Sequence, residues 1–237
     1  MTFRPYPGLT VACAALFAIL CGLGVWQLER LQWKLALIAT VNGHLADAPV
    51  TLDQILRLPA DQAQYRPVTL HGRFDHGKEA YVFTTDAAGD AVYHVLTPFT
   101  TDDGRVLMVD RGMVTADRLA PASRAAGNVQ GPTRVTGVWR VPDAPGFFTP
   151  AADLGKRIWY ARDLAGIAAA DHIVLAAPVV IEAGPAPNPG GWPKGGQTVV
   201  HFRNQHLSYA ITWFGLAGCL LGVWLAYHIS KGRIARR

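Results

Sequence analysis

The residues best placed for chemistry lie around His206. The residues before His206 are polar, whereas residues 207–229 are apolar or weakly polar apart from His228. On a helix, Tyr209 and Trp213 share the face of His206, and Arg203 lies three residues before it. A neutral imidazole can ligate a metal, cap a helix or take no special part. The residues alone leave these three uses of His206 open.

The rest of the chain holds no recognisable catalytic constellation. It lacks the glycine-rich phosphate and dinucleotide loops, the paired histidines of zinc proteases and the nucleophile elbow of serine hydrolases. The adjacent carboxylates Asp102 and Asp103 precede a glycine, which is typical of a turn in water. His71, His76 and His94 lie on or beside polar faces of predicted strands and are interpreted as ordinary surface histidines. We therefore expect that the protein is not an enzyme.

The elements that must position His206 are membrane helices. Hydrophobic residues make up 50% of the 237 residues and charged residues only 16%, a balance that indicates membrane segments. Residues 9–28 and 207–229 are uncharged runs, each close to the roughly 20 residues that cross about 30 Å of hydrocarbon. Charged residues interrupt every apolar run between them. The sequence thus predicts one transmembrane helix at residues 9–28 and another at residues 206–229.

The first run has one feature of a signal peptide, because Arg4 supplies a short basic region before it. However, the run is longer than the usual apolar core of a signal peptide, and a helical pattern continues through Leu31, Leu35 and Ile38. No lipoprotein cleavage motif is present. A retained membrane anchor is the better interpretation. Only eight residues precede the run, too few for an organelle presequence, which favours the inner membrane of a bacterium.

Charges beside the two runs predict the orientation. The basic tail, residues 230–237, has no acidic residue and contains Lys231, Arg233, Arg236 and Arg237, which places it in the cytoplasm. Two spans return the chain to its starting side, so residues 1–8 are cytoplasmic and residues 29–205 form a periplasmic domain. Anionic lipid of the bilayer is a sufficient partner for the tail. Basic clusters with interleaved aromatic residues are absent, and we expect no nucleic-acid partner.

The cysteines are informative by position. Cys13, Cys21 and Cys219 all fall within the predicted spans. The predicted periplasmic domain has no cysteine, so it has no disulfide and no thiolate metal site. This excludes the C-x-x-C redox proteins and the cysteine-based copper chaperones.

Small residues recur along both predicted spans. Ala14, Ala18 and Gly22 follow one another every four residues in the first span, and Gly218 and Gly222 form a G-x-x-x-G motif in the second. Such spacing lets helices pack closely in lipid, although Ala and Gly are also simply common in this chain. The spans are expected to pair with each other or with the helices of a partner.

The residues between the spans predict mainly strands. The first helix is expected to stop near Asn42 and Gly43, and a capping box from Thr51 to Gln54 begins a short helix that Pro59 ends. Residues 115–131, rich in Ala, Gly and charge, are expected to form an exposed loop. Alternating apolar residues, separated by turn residues, predict short strands at residues 68–74, 81–84, 92–99, 105–111, 134–140, 173–181 and 198–202. The fold class is therefore a membrane protein in which two transmembrane α-helices flank a mainly β domain, a small barrel or sandwich with one or two short helices.

Six motifs occur in order along the chain. They are Gly24-Val25-Trp26-Gln27-Leu28-Glu29-Arg30, Tyr65-Arg66-Pro67-Val68, Val109-Asp110-Arg111-Gly112, Gly137-Val138-Trp139-Arg140, Pro145-Gly146-Phe147-Phe148-Thr149-Pro150 and Asn204-Gln205-His206-Leu207-Ser208-Tyr209. Together they resemble the Surfeit locus protein one family, over nearly the whole chain and with both spans in place. Met113, Thr115 and Gln205 depart from the residues usual in that family.

The resemblance implies a role in assembling cytochrome c oxidase, at the stage when haem a enters the catalytic subunit. The implied partners are that subunit and the machinery of haem a synthesis. For bacterial members the resemblance also implies haem a binding, with His206 as the iron ligand. A neutral imidazole is a good ligand of haem iron. In this hypothesis Arg203 pairs with a propionate, and Tyr209 and Trp213 wall the macrocycle.

Two alternatives remain open from the sequence. One is a protein-only membrane scaffold for oxidase subunits that never touches haem. The other is an enzyme acting on a membrane-bound substrate, for example on haem itself. A haem-modifying enzyme would be expected to carry several intramembrane histidines, and only His206 and His228 lie near the spans. His228 is not a second ligand for the same iron, because 22 residues of helix separate the two by about 33 Å.

Overall fold

The computed structural model describes residues 2–86, 88–142, 144–198 and 204–235. Two compact units make up the chain. Residues 1–40 and 201–237 form the membrane unit, and residues 41–200 form the barrel unit.

The helices and strands follow one another along the described residues. The helices are α1 (Pro7–Ala46), α2 (Leu52–Leu56), α3 (Ala60–Ala63), α4 (Leu164–Ala170) and α5 (His206–Ser230). The strands are β1 (Thr2–Phe3), β2 (Val50–Thr51), β3 (Pro67–Phe74), β4 (Ala80–Thr85), β5 (Ala91–Thr101), β6 (Val106–Thr115), β7 (Thr133–Arg140), β8 (Ile158–Trp159), β9 (Val180–Ala183) and β10 (Ile234–Ala235).

Helices α1 and α5 confirm the two predicted membrane spans. Both are long and apolar enough to cross a bilayer, and most of their side chains are not buried within the protein. A helix of a soluble core would instead be largely covered, so the exposed apolar surface is typical of a membrane helix. Helix α1 begins at Pro7, whose fixed φ suits a first helical position. It ends at Ala46, three residues after the expected end at Asn42 and Gly43.

The face of α1 that is buried in the membrane unit carries Leu20, Gly24 and Gln27. A Cβ atom on Gly24 would lie 2.6 Å from a ring atom of Phe214, so the absence of a side chain allows close packing against α5. Ala14, Ala18 and Gly22 are exposed, and nothing lies within 4 Å of a Cβ placed on Gly22, Gly218 or Gly222. These small residues therefore do not pair the two spans with each other, and the alternative, pairing with the helices of a partner, stays a prediction.

The two ends of the chain pair with each other in the membrane unit. Strands β1 and β10 are antiparallel, with Phe3 opposite Ile234. The N–H of Tyr6 donates to Nε2 of His228 at 3.1 Å, and the N–H of Arg4 donates to the carbonyl of Arg233 at 3.0 Å. Both termini therefore lie at the same end of the helix pair, as a chain with two spans requires.

The barrel unit is a small closed barrel. Strands β3, β7, β9, β6 and β5 hydrogen-bond in that order, and β5 returns to β3 to close the ring. The closing pairs run from Gly72 opposite Thr101 to Phe74 opposite Phe99. Strands β4 and β8 continue the sheet beyond β5, and β2 is added beside β3. The predicted mainly β domain is thus a barrel rather than a sandwich.

Apolar side chains that alternate along the strands form the core of the barrel. Val68 and Leu70 of β3 are buried, as the sequence predicts, and they pack in one core with Phe99 and Leu107. Helix α2 caps this core with Leu52 and Ile55, and the remaining buried members include Ala63, Val109, Val135, Trp139, Val179 and Ile181. The Thr51 capping box is present and begins α2, which confirms that prediction.

Two predictions for the barrel unit differ from the structure, and a third falls mostly outside the described residues. The expected strand at residues 173–181 forms only from Val180, because Pro178 has no N–H to donate to a neighbouring strand. Residues 115–131 are largely exposed, as expected, but they form two 3-10 helices rather than an irregular loop, and Arg124 within them is buried. The expected strand at residues 198–202 falls mostly outside the described residues, and Thr198 itself is not in a strand.

Candidate functional site

Helix α5 begins at His206 itself. The N-cap position is Gln205, whose side chain makes no capping hydrogen bond. The Oδ1 atom of Asn204 accepts the backbone N–H of His206 at 3.3 Å. The imidazole is therefore not the helix cap, and one of the three uses suggested by the sequence is excluded.

The ring of His206 is held by a residue of the first helix. Its Nδ1 atom lies 2.8 Å from Oε1 of Gln27, a side chain that is itself buried. An amide oxygen only accepts, so Nδ1 is the donor in this bond and Nε2 is the ring nitrogen that it leaves unused. Among the described residues Nε2 has no hydrogen-bond partner. A fixed tautomer with one free nitrogen is how ligating histidines are usually oriented.

The other predicted site residues are Tyr209, Trp213 and Arg203. Tyr209 is half exposed, at 52%, and Trp213 is partly buried. Both belong to α5 and lie three and seven residues after His206, which is helical spacing for one face. Arg203 lies outside the described residues, so its pairing with a propionate stays a prediction. Gln27 was not predicted as a site residue, although an uncharged polar side chain at the end of an apolar run is a recognisable sign of one.

The second histidine of α5 has a structural role. His228 is fully buried, and both of its ring nitrogens are engaged. Its Nε2 accepts the N–H of Tyr6, and its Nδ1 donates to the carbonyl of Trp224 at 2.8 Å. The indole N–H of Trp224 in turn donates to Thr10 at 3.2 Å. His228 therefore joins the two helices at the end where the termini pair and has no nitrogen free for a metal.

A buried ionic cluster lies in the barrel unit, and we call it the Glu79 cluster. It consists of Glu79, Arg111, Arg124, His76 and Tyr81, and the first three side chains are almost completely buried. Arg111 Nη1 donates to Glu79 Oε1 at 3.1 Å, and Arg124 Nη2 donates to Oε2 at 2.5 Å. The Tyr81 hydroxyl donates to Oε2 at 3.2 Å. The single carboxylate thus holds two guanidinium groups.

The Glu79 cluster shifts the pKa values of its members. Burial alone would raise the pKa of Glu79, but hydrogen bonds from His76 and Arg124 and the two arginine charges lower it to about 2. Burial and the charge of Glu79 raise the pKa of Tyr81 to about 12. Burial lowers the pKa of Arg111 to about 10. At neutral pH the carboxylate of Glu79 and the guanidinium of Arg111 are therefore both ionised.

The interpretation of three histidines as surface residues is correct for one of them. His71 is exposed. His76 is wrongly predicted, because its Nε2 bonds the carbonyl of Val129 at 2.9 Å and its Nδ1 lies 3.4 Å from Glu79. His94 is also wrongly predicted, because its side chain is only 12% exposed and its Nδ1 lies beside the carboxylate of Asp110. His76 and His94 each contact residues distant in sequence, and strand periodicity alone cannot reveal such contacts.

His94 belongs to a second buried ion pair. Its Nδ1 lies 2.8 Å from Oδ2 of Asp110, a fully buried carboxylate that also accepts from Arg162 at 3.0 Å. Burial acts to raise the pKa of Asp110, yet the bonds and charges of His94 and Arg162 lower it overall. The Oδ1 atom of Asp110 accepts the backbone N–H of Gly112 at 2.9 Å. Every oxygen of this carboxylate is satisfied, which is typical of a structural pair.

The described residues contain no group of three or more His, Cys, Asp or Glu side chains that could hold a metal ion. Asp102 and Asp103 form a turn, as predicted, in which Asp103 accepts the hydroxyl of Thr101 at 2.5 Å. A lone imidazole such as His206 is a poor site for a free metal ion. Haem asks less of the protein, because the porphyrin supplies the other nitrogen ligands and the protein adds only an axial one.

The fold and the geometry around His206 together define the class of protein. The protein is a membrane-anchored small β-barrel with one histidine oriented at the start of its second membrane helix. The SURF1 family model matches residues 14–218. Surfeit locus protein 1 of Gallus gallus is 34% identical over 227 residues, which cover 88% of this chain and 72% of the relative. The Takifugu rubripes protein of the same name is 32% identical and covers 90% of this chain and 94% of the relative.

The human relative matches this chain with similar identity and coverage. Surfeit locus protein 1 of Homo sapiens is 34% identical over 224 residues, which cover 86% of this chain and 72% of the relative. The chain belongs to the SURF1 family, and the family resemblance of its motifs is confirmed. These relatives are eukaryotic, so they give no support to a bacterial inner membrane or to a periplasmic domain.

Proposed function

We propose that this protein is an assembly factor of cytochrome c oxidase that binds haem a as cargo and presents it during maturation of the catalytic subunit. Membership of the SURF1 family supports the role in oxidase assembly. The observation that carries the haem hypothesis is the hydrogen bond from His206 to Gln27, because it leaves Nε2 as a free ligand atom. The absence of a catalytic constellation among the described residues supports a carrier rather than an enzyme.

In this proposal each residue has a separate task. Gln27 fixes the ring of His206 and keeps its proton on Nδ1, and Nε2 of His206 ligates the haem iron. The exposed ring of Tyr209 and the partly buried ring of Trp213 flank the porphyrin on the same helix face. Arg203 is proposed to pair with a propionate carboxylate. Haem a bound in this way keeps its own redox chemistry, and the protein contributes binding and orientation.

The proposed location is the inner membrane of a bacterium. The basic residues after α5 support a cytoplasmic tail, and the pairing of β1 with β10 supports an N-terminus on the same side. The barrel unit is then proposed to lie in the periplasm. The proposed source of the cargo is the haem a synthesis machinery, and the proposed recipient is the catalytic subunit of the oxidase.

An absorption spectrum tests haem binding. The full chain is purified in detergent from cells that make haem a, as wild type and as His206→Ala. We expect the wild-type protein to carry haem a and His206→Ala to lose it or to change its spectrum, because a methyl group cannot ligate iron. His71→Ala is the matched control, since His71 is an exposed histidine away from α5, and it should retain the pigment. A wild-type protein without haem, or an unchanged spectrum in His206→Ala, would refute the hypothesis.

Gln27→Leu separates ligation from packing. Loss of a partner that orients a ligating histidine typically weakens metal affinity about 10–100-fold. We therefore expect Gln27→Leu to retain some haem but to lose it faster on dilution than the wild type. If Gln27→Leu removes no haem while His206→Ala does, the orienting role of Gln27 is wrong although the ligand assignment stands.

The protein-only scaffold is a second candidate, and one observation favours it. The bond between His206 and Gln27 joins α1 to α5, which gives the histidine a structural use without haem. Under this alternative His206→Gln, which keeps a side-chain amide able to bond Gln27, should support oxidase assembly normally. Under the haem proposal His206→Gln should be as defective as His206→Ala.

A further inference from the structure

The Glu79 cluster carries an excess of buried positive charge. The Arg111 and Arg124 side chains are 2% and 0% exposed, and among the described residues Glu79 is the one carboxylate that pairs with them. Carbonyl and amide oxygens complete the hydrogen bonding, with Gly127 and Asn128 accepting from Arg111. These neutral acceptors do not cancel a charge. One net positive charge therefore remains in a buried setting, where an uncompensated ion is costly.

A cavity of about 100 Å³ lies against this charge, and we call it the Arg134 cavity. Buried Arg111 forms part of its wall, together with Arg134, Thr133 and Asn188. The ring of Phe74 also lines it and packs against the guanidinium of Arg111, whose Cζ lies 5.0 Å from the ring centre. No Asp or Glu occurs among the described residues of the wall.

Arg134 adds a second cation to the cavity. Its side chain is exposed and makes no ion pair or hydrogen bond with any described residue. Asp102 and Asp103 border a separate open groove that Arg134 also lines, but neither carboxylate pairs with it. The hydroxyl of Thr133 likewise has no hydrogen-bond partner among the described residues. The cavity thus combines the positive charge of a buried guanidinium with two groups that can donate hydrogen bonds, the guanidinium of Arg134 and the hydroxyl of Thr133.

We infer that the Arg134 cavity binds a small oxyanion, either a phosphate or a carboxylate group. Both anions match the paired donors of a guanidinium group. The volume of about 100 Å³ suits one such group. A bound anion would neutralise the charge that Glu79 leaves uncompensated. The oxyanion is either free in solution or the charged end of a larger molecule.

Binding to the full-length protein in detergent tests the inference. The thermal unfolding midpoint is measured against rising inorganic phosphate, glycerol phosphate or acetate, with sodium chloride at matched ionic strength as the reference. Equilibrium dialysis with inorganic phosphate then gives the dissociation constant. We expect at least one of the three anions to raise the midpoint saturably, because a ligand that binds only the folded state stabilises it. A preference for glycerol phosphate over phosphate indicates an esterified source, and a preference for acetate indicates a carboxylate.

Arg134→Ala is the decisive variant, because Arg134 is exposed and its removal leaves the Glu79 cluster intact. Loss of one charge-assisted hydrogen bond should raise the dissociation constant about tenfold or more. Arg73→Ala removes an exposed arginine of β3 that does not line the cavity, and it should leave the constant within about twofold. The inference is overturned if none of the three anions binds saturably, or if Arg134→Ala and Arg73→Ala bind equally well.

Discussion

Glu79→Gln removes the one carboxylate of the Glu79 cluster while keeping the size of the side chain. The change leaves the guanidinium groups of Arg111 and Arg124 buried without a counter-charge. Breaking a buried pair by removing one partner is strongly destabilising, typically by about 3–5 kcal/mol. The barrel unit should therefore lose a large part of its stability, because native domains are stable by only about 5–15 kcal/mol.

The pKa shift of Glu79 gives a second value for the stability that its carboxylate contributes. It falls from its ordinary value of 4.5 to about 2 in the folded protein, and each pKa unit corresponds to about 1.4 kcal/mol. The ionised form is thus favoured by folding by roughly 3 kcal/mol, in agreement with the cost expected for the mutation. For a domain of this size that corresponds to a decrease of about 6–12 °C in the unfolding midpoint.

The same shift predicts a pH dependence. Above about pH 4.5 the carboxylate is ionised in both the folded and the unfolded chain, and its full stabilisation is present. As the pH falls from about 4.5 to about 2, the unfolded chain takes up the proton first, so the stabilisation is lost. Glu79→Gln should lack this step, and its midpoint should be closest to that of the wild type below about pH 2.

Thermal unfolding of the full chain in detergent, followed by tryptophan fluorescence, measures both effects. Trp139 and Trp159 are buried in the barrel unit and report its unfolding. Lys156→Gln is the control, because it breaks an exposed ion pair with Asp153 at 3.6 Å and should shift the midpoint by less than about 2 °C. A Glu79→Gln midpoint at pH 7 that differs from the wild type by no more than this control would refute the stabilising role of the cluster.

Three further predictions concern packing and topology. Gly112→Ala should cost at least about 3 kcal/mol, because Gly112 has φ +112° and a Cβ would overlap the carbonyl of Lys194, whereas Gly104→Ala, at φ +85° with open space around it, should cost about 1 kcal/mol in the same unfolding assay. Gly24→Leu should lower the unfolding midpoint of the membrane unit by displacing the ring of Phe214, and Phe214→Ala should restore it; failure of the second change to rescue would contradict the packing. In a cysteine-free background, an impermeant reagent applied to intact cells from outside should label Ser123→Cys and not Ser230→Cys, and the reverse pattern would invert the proposed topology.

Local pattern accounts for much of the fold. The alternation of buried Val68 and Leu70 with outward residues predicts β3, and the capping box at Thr51 predicts the start of α2, because both depend on neighbouring residues. The closure of the barrel cannot be predicted in this way. The pairing of β3 with β5 joins Phe74 to Phe99, and nothing local to either residue specifies that partner.

The same limit applies to the candidate site, where local pattern identifies a residue but not its distant partner. The change from polar to apolar residues identifies His206, but its bond to Gln27 spans 179 positions and depends on how α1 packs against α5. Arg124 lies in a segment of Ala, Gly and charge that predicts exposure, yet it is buried because Glu79 on another part of the chain pairs with it. Periodicity therefore cannot predict contacts that depend on long-range charge pairing or on helix packing.

The ratio of haem a to oxidase catalytic subunit tests the central claim most directly. It is measured in membranes of cells that lack this chain and in the same cells supplied with the wild type or with His206→Ala, with subunit amounts determined by immunoblot and haem a by extraction. We predict that cells lacking the chain retain catalytic subunit with a reduced haem a content, that the wild type restores it, and that His206→Ala does not although it accumulates normally. Full haem a occupancy of the oxidase in cells without this chain, or full restoration by His206→Ala, would contradict the account.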